Sequence, residues 1–102
     1  MHRCERCGRP LSTALGYSLQ HRRARGMGGT RRPDTNDPPN LVAACGSATT
    51  GCHSWMESHP RAAAQFGWRV AQADDPAAVP IVHWRHGWVW LTSEGTYAKE
   101  KP

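Results

Sequence analysis

Residues 40–53 read NLVAACGSATTGCH, and this stretch sets the order of the elements around it. Leu41 to Ala44 is a short apolar run, which predicts a buried strand. Residues 46–51 begin and end with glycine and are able to fold back as a turn. A helix-forming composition begins at about Cys52. The stretch therefore predicts a strand, a turn and a helix N-terminus, with a cysteine on each side of the turn.

The segments on either side extend this pattern. Residues 17–21 alternate apolar and polar side chains, which predicts a half-buried strand that pairs with 41–44. Residues 22–39 have no periodicity and contain three glycines and three prolines, so a long basic loop is expected there. The composition favours helix from 52 to 66, with Pro60 dividing it into two short helices and Gly67 ending the second.

The C-terminal third is predicted to be a small β unit. Strands are expected at 68–70, 81–85 and 88–92, with a hairpin turn at 85–87 and a linker loop at 71–80. The strand-like alternation of the tryptophans favours a hairpin core over a surface for stacking bases. The last five residues are expected to be frayed. Residues 1–70 would then form the main domain, and residues 71–102 a hairpin appendage packed on it.

The charge is concentrated in the first third of the 102-residue chain. Residues 1–32 carry eight arginines and one glutamate, whereas residues 33–102 have a net charge of −2. A polyanion is the natural partner of such a surface. The chain lacks an apolar run of 18 residues and its start does not resemble a signal peptide, so we expect a cytoplasmic protein that binds no membrane.

The four cysteines form two pairs, C-x2-C and C-x6-C, separated by 37 residues. Two close pairs can each hold one edge of a tetrahedron of thiolates around zinc. Cysteines in a reducing compartment are more often metal ligands than disulfides. The alternative is free buried cysteines with one incidental C-x2-C. The sequence predicts a structural Zn²⁺ bound by Cys4, Cys7, Cys45 and Cys52.

Four segments together resemble one protein family. They are CERCG, QHRRARGMGG, NDPPNLVAACG, and GCHSWMESHP followed by GWRV, and they extend from Cys4 to about Val70. The combination resembles the HNH endonucleases, particularly the small HNH proteins encoded by tailed phages and prophages. The resemblance implies an α+β fold, namely a ββα-metal (His-Me finger) domain. Here a zinc site made of the four cysteines would stabilise the domain, and a small C-terminal β-hairpin would follow it.

The resemblance also implies three catalytic residues. His21 matches the first family histidine, the general base that deprotonates water. Asn40 matches the family asparagine, which bonds loop backbone and holds the base in register, although Asn36 is a near competitor. His53 matches the last histidine, a metal ligand. The alternatives are a surface histidine in a basic loop, a turn-forming asparagine, and a histidine that supports the zinc cluster.

The chain departs from many relatives at the catalytic metal. Gln20 replaces a common acidic or histidine ligand, and a neutral amide oxygen should bind a cation more weakly. Glu57 lies four residues after His53, so both can share a helix face and one ion. His59 is the poorer candidate, and Glu57 could instead be a solvated charge. This donor set favours Mg²⁺ or Mn²⁺, with Ni²⁺ or Zn²⁺ as alternatives.

Basic residues flank the expected base. Their proposed role is phosphate neutralisation, and a merely solvated basic loop is the alternative. The residues are Arg22, Arg23, Arg25, Arg31 and Arg32.

The sequence therefore predicts a metal-dependent DNA endonuclease that hydrolyses phosphodiester bonds without an organic cofactor. The resemblance to phage proteins implies assistance to the large subunit of a terminase in the bacterial host cytoplasm. A zinc-ribbon DNA-binding module without catalysis is the alternative. A restriction or homing enzyme would need a recognition domain for which 102 residues leave little room.

Overall fold

The computed structural model describes residues 3–12, 16–23, 35–47 and 49–101. Two sheets and two helices make up the fold, which is a small α+β arrangement. No helix within these ranges is long and apolar enough to cross a membrane. The elements in chain order are β1 (Tyr17–His21), a 3-10 turn (Pro38–Asn40), β2 (Leu41–Cys45), α1 (Gly51–Ser58), α2 (Pro60–Gln65), a second 3-10 turn (Pro76–Ala78), β3 (Ile81–His83), β4 (Gly87–Leu91) and β5 (Tyr97–Ala98).

The first sheet is the antiparallel pair of β1 and β2, and its register runs from Tyr17–Cys45 to His21–Leu41. The strand prediction for 17–21 is confirmed, and the second strand is one residue longer than predicted. Gln20 and its partner Val42 are buried under α1. Successive side chains of a strand point to opposite faces, so Leu19 and His21 lie on the outer face.

The predicted division of the helical segment at Pro60 is confirmed. Proline cannot donate the hydrogen bond that a continuous helix needs, but it fits the first turn of a new one, and α2 begins at Pro60. Gly67 follows α2 with φ of +80°. A Cβ at Gly67 would lie 1.9 Å from the Pro80 carbonyl oxygen, so only glycine lets α2 approach β3 this closely.

The second sheet has the order β3–β4–β5 and is antiparallel. The hairpin of β3 and β4 was predicted, but two other expectations were wrong. Residues 68–70 do not form a strand, and only Val70 makes an isolated bridge, to Arg23. The last five residues were expected to be frayed, but the first of them, Ala98, belongs to β5 and pairs with β4.

The expectation that the tryptophans fill the hairpin core is wrong for two of them. Val89 and Leu91 are the buried residues of β4, whereas Trp88, which precedes Val89, is 52% exposed. Trp84 in the preceding turn is 40% exposed. Alternation defines the two faces of a strand but not which face is covered. Trp68 is buried, and its indole nitrogen donates to the Val82 carbonyl oxygen at 3.2 Å.

One hydrophobic cluster joins the cysteines to both helices and to the second sheet. Its buried members come from the first cysteine turn, β2, both helices, the segment after α2, β3 and β4. They are Cys4, Val42, Ala44, Cys45, Cys52, Met56, Ala63, Trp68, Ile81, Val89 and Leu91.

Arg22 is a fully buried charged residue at the end of β1. Its guanidinium donates to the carbonyl oxygens of Gly67, Pro39, Pro76 and Val79 at 2.7 to 3.0 Å. Burial lowers the pKa of Arg22 to about 10, so the group is still charged at neutral pH. Carbonyl oxygens from three separate loops therefore share one cation.

Two predicted phosphate contacts need correction as a result. The Arg22 side chain is enclosed by carbonyl oxygens. Arg23 is 5% exposed and donates to the Asp74 carbonyl oxygen at 3.0 Å. Neither guanidinium faces solvent, so both arginines hold loops together instead of meeting a phosphate.

Replacing Arg22 with methionine should lower the free energy of unfolding by more than about 3 kcal/mol, because four carbonyl oxygens lose their donor. Arg22→Lys should recover only part of this, since an ammonium cannot span four acceptors arranged around a planar fork. Urea denaturation measures the effect. Arg61→Met, at an exposed position, is the control and should stay within about 0.5 kcal/mol. Equal stability of the two methionine variants would contradict the role assigned to Arg22.

Candidate active site and metal centre

The four cysteines converge as the spacing predicts. Their Sγ atoms all lie within 4.8 Å of one another. The thiols are free, and three of the four are buried, Cys7 being exposed. This donor set and geometry suit a tetrahedral metal site of the structural zinc type. The four cysteines can therefore bind a structural metal such as zinc.

Local backbone geometry brings these thiols together. Cys4 and Cys7 lie in an N-terminal turn in which the Gly8 amide donates to the Cys4 carbonyl oxygen at 2.8 Å. Cys45 ends β2 and Cys52 lies in the first turn of α1. Between them Gly46 has φ of +91°, and a Cβ there would lie 2.1 Å from the Thr50 carbonyl oxygen. A residue other than glycine at 46 would open the corner that places the second cysteine pair.

Arg6, inside the C-x2-C motif, connects the cysteine cluster to α1. Its guanidinium donates to Cys52 Sγ at 3.3 Å and lies 4.0 Å from the centroid of the Trp55 ring. Burial raises the pKa of the Cys52 thiol, and the hydrogen bond from Arg6 acts against that rise. A tetrathiolate zinc centre carries a net negative charge, which a neighbouring cation stabilises. Sequence reasoning missed this residue, although an arginine between two cysteines was the available signal.

Asn40 is buried and bonded entirely to loop backbone. Its Oδ1 accepts from the Arg23 amide at 2.8 Å, and its Nδ2 donates to the Thr35 carbonyl oxygen at 2.8 Å. A longer bond of 3.4 Å reaches the Arg23 carbonyl oxygen. Asn40 thus ties together the two ends of the segment 24–34, which lies outside the described residues.

His21 ends β1 and is partly exposed. Its Nε2 is 2.9 Å from Oδ1 of Asn36. An amide oxygen can only accept, so Nε2 donates this hydrogen bond, and in a neutral ring Nδ1 then keeps its lone pair. The two asparagines therefore have different contacts: Asn36 bonds the His21 side chain directly, whereas Asn40 bonds only loop backbone.

Gln20 and Glu57 meet where α1 crosses β1. The Gln20 Nε2 donates to Glu57 Oε1 at 2.7 Å, and the other Glu57 oxygen pairs with Arg69 at 3.3 Å. His53 precedes Glu57 by four residues on α1 and so lies on the same helix face. Arg69 was not anticipated from the sequence, because only the fold brings it beside Glu57.

Two buried polar atoms of β1 and α1 have no hydrogen-bond partner among the described residues. They are Gln20 Oε1 and His53 Nδ1. A buried polar atom left unpaired costs about 1–3 kcal/mol, so native structures rarely tolerate one without a function or a bound group. Both atoms belong to residues that the sequence placed at the catalytic metal.

His59 is poorly suited to the same ion. Its ring stacks on Trp55 with centroids 4.9 Å apart, and its Nδ1 lies 3.0 Å from the Ser58 hydroxyl and 3.1 Å from the Trp55 carbonyl oxygen. It follows α1 instead of lying on it, because Pro60 starts a new helix.

The predicted site residues are thus only partly assembled. Gln20 bonds Glu57, and the helix adds His53, whereas His21 bonds Asn36 on the outer face of β1. Across the described ranges, the cysteines are the one set of three or more His, Cys, Asp or Glu side chains close enough to hold a metal. Arg25, Arg31 and Arg32 lie outside the described residues.

No protein-family model, curated protein or solved structure matches the chain. The interpretation of the site therefore rests on its own residues and on the sequence motifs.

The purified protein should contain one zinc ion per chain. Cys52→Ser should lose that ion and the fold with it, because metal binding and folding are coupled in small domains of this kind. Elemental analysis and far-ultraviolet circular dichroism measure the two effects. Ser54→Ala, on the same helix, is the control and should keep the metal. Since thiolates bind the ion, acidification should release it. Folded, zinc-free wild-type protein would contradict the assignment.

Proposed function

We propose that the protein is a metal-dependent endonuclease of the HNH type, which hydrolyses phosphodiester bonds of DNA. The observation that carries the proposal is the crossing of β1 and α1. There Gln20 donates to Glu57, His53 precedes Glu57 by four residues on α1, and two buried polar atoms, Gln20 Oε1 and His53 Nδ1, have no partner in the described part of the chain.

These donors fit a divalent cation. The amide and carboxylate oxygens suit Mg²⁺ or Mn²⁺, and the imidazole nitrogen suits Ni²⁺ or Zn²⁺. Such an ion would supply electrostatic stabilisation of the charge that develops on the phosphate oxygens. Glu57 Oε1 would exchange the Gln20 amide for that role, while Arg69 keeps the carboxylate oriented.

His21 is suited to accept the proton of an attacking water. Asn36 holds the protonated Nε2, which leaves Nδ1 with a lone pair at the partly exposed end of β1. A neutral imidazole can take up a proton near neutral pH and return it to solvent. The ring orientation therefore comes from a single hydrogen bond to the loop.

Asn40 is a positioning residue in this proposal. It does not face the reacting phosphate, because it is 1% exposed. Its bonds to the Arg23 and Thr35 backbone hold the loop that carries Asn36, and thereby the partner of His21. Arg25, Arg31 and Arg32, in the segment between, would supply phosphate contacts.

A zinc-ribbon DNA-binding module without catalysis is the second candidate. Glu57 favours it, since both of its oxygens already have partners, in the Gln20 amide and the Arg69 guanidinium. The neutral side chain of Gln20 would then indicate a former metal site in which a charged ligand has been replaced. A role beside the large subunit of a phage terminase, in the host cytoplasm, is supported by the family resemblance alone.

His21→Ala should keep the fold and DNA binding but lose at least about 10²-fold in cleavage rate, which is typical of removing a general base. Nicking of supercoiled plasmid in Mg²⁺, Mn²⁺, Ni²⁺ and Zn²⁺ measures the rate. His59→Ala removes an exposed histidine nearby and should cut at the wild-type rate. Undiminished cleavage by the His21 variant would contradict the assignment of His21 as general base. If the wild-type protein cleaves DNA in none of these metals, the result would favour the zinc-ribbon DNA-binding module.

Gln20→Glu should lower the Mg²⁺ or Mn²⁺ concentration needed for half-maximal cleavage. The substitution replaces the amide with an oxygen beside Glu57, and two adjacent carboxylates attract a cation that relieves their repulsion. Glu57→Gln should raise the required concentration. Zinc content should not change, because the cysteines bind that ion. If neither variant moves the titration while His53→Ala abolishes cleavage, the ion is held by His53 with other groups.

A further inference from the structure

A second basic surface lies on the side of the molecule formed by the N-terminal turn and the C-terminal sheet. It surrounds a shallow cavity of about 250 Å³ lined by Arg3, Arg85, His83, His86 and Tyr97, among others. Lys99 joins it by donating from Nζ to the His86 carbonyl oxygen. Arg3, Arg85, His86 and Lys99 are all exposed.

The cations of this surface are not neutralised by the acids around them. Among the described residues the ion pair that forms is Glu57 with Arg69, which is elsewhere. The acid that lines the cavity, Glu5, is 9% exposed, and its oxygens accept from the Tyr97 hydroxyl and the Ala43 amide. Burial raises the pKa of Glu5. Burial lowers the pKa of His83, and the charges of His86, Lys99 and Arg85 lower it further, which places these groups close together.

The surface is continuous with the face of β1 that carries His21. A groove of about 210 Å³ is lined by Leu19, Leu41 and Ala43 and shares Glu5, Ala43 and Tyr97 with the basic cavity. His21 pairs with Leu41 and points to the same side as Leu19, two residues away. A polymer that lies across His21 can therefore reach the cavity along one face.

We propose that Arg3, Arg85 and Lys99 form a second DNA-contacting surface, which binds backbone phosphates of the duplex next to the cleaved bond. The inference rests on the proposed function for the identity of the polyanion. It places DNA contacts in the C-terminal sheet, where the sequence suggested only a structural appendage.

The aromatic groups of the surface favour contacts to phosphates over contacts to bases. The His83 ring lies 4.8 Å from that of His86 and 4.7 Å from that of Tyr97, so these rings pack on one another. Trp84 packs against Gly8, where an added Cβ would lie 2.6 Å from the indole ring. Rings that are already packed this way do not readily open as stacking platforms, whereas the exposed cations need no rearrangement.

Charged groups also favour nucleic acid over a protein partner. Protein interfaces are depleted of charged residues at their centre and depend on apolar anchors. Here Arg3 and Arg85 line the cavity itself, so charged residues lie at the centre of the surface.

Fluorescence anisotropy of a labelled DNA duplex, without added Mg²⁺ or Mn²⁺, tests the surface apart from catalysis. Arg85→Gln should reduce the slope of log K against log salt by about 0.9, which is an affinity loss of about eightfold at 0.1 M salt. Arg61→Gln removes the same charge from an exposed position on α2 and is the matched control. It should leave the slope unchanged.

Arg85→Gln/Lys99→Gln should reduce the slope by up to about 1.8, and adding Arg3→Gln by up to about 2.7. Zinc content and circular dichroism verify that each variant is folded, because Arg3 also donates to the Gly8 carbonyl oxygen at 2.8 Å. The Arg85 and double variants decide the question if the triple variant fails to fold.

Equal slopes of log K against log salt for the Arg85 and Arg61 variants would overturn the proposal that this surface contacts DNA. If wild type also cleaves DNA, the proposed nuclease function stands and only this inference falls. A wild-type protein that binds DNA through Arg85 but cleaves in none of the metals would support the surface and remove the nuclease. Wild-type protein without affinity for duplex DNA would also overturn the surface.

Discussion

The fold depends on one buried cation. Arg22 donates to carbonyl oxygens at residues 39, 67, 76 and 79, so a single guanidinium connects the end of β1 to the 3-10 turns, to the end of α2 and to the approach to β3. Loop carbonyls seldom form ladders with one another, and a planar donor with five N–H groups satisfies several at once. A domain of this size has little apolar core, which makes such a polar hub more important.

The cysteine cluster is the second fixed point, at the opposite end of β2. It connects the N-terminal turn to the corner between β2 and α1, and Arg6 extends the connection to Trp55. Where α1 crosses β1, Gln20 donates to Glu57. Two buried polar atoms of these elements, Gln20 Oε1 and His53 Nδ1, have no partner among the residues that the structure describes. The outer face is the part left open to a partner.

Local signals predicted the elements that local chemistry controls. The alternation at 17–21, the apolar run at 41–44, and the break at Pro60 each reproduce the structure within a residue. The convergence of the four thiols followed from their spacing. The missed elements depend on distant partners. β5, which was not predicted, is two residues long and forms because the edge of β4 is available for pairing. The strand predicted at 68–70 does not form, because only Val70 has a pairing partner, Arg23.

Periodicity, glycine and proline positions and ligand spacing are local features, so they predict the order of strand, loop, strand and helix and the grouping of the cysteines. Which polar groups face inward depends on contacts between remote segments and can be seen only in the folded chain. Arg22 and Arg23 look like neighbouring members of a basic loop, yet they are buried because carbonyl oxygens from remote turns surround them. Trp88 looks like a core residue but stays exposed, because Val89 and Leu91 occupy the covered face of β4. Burial is a property of what packs against a residue, and no local pattern contains that information.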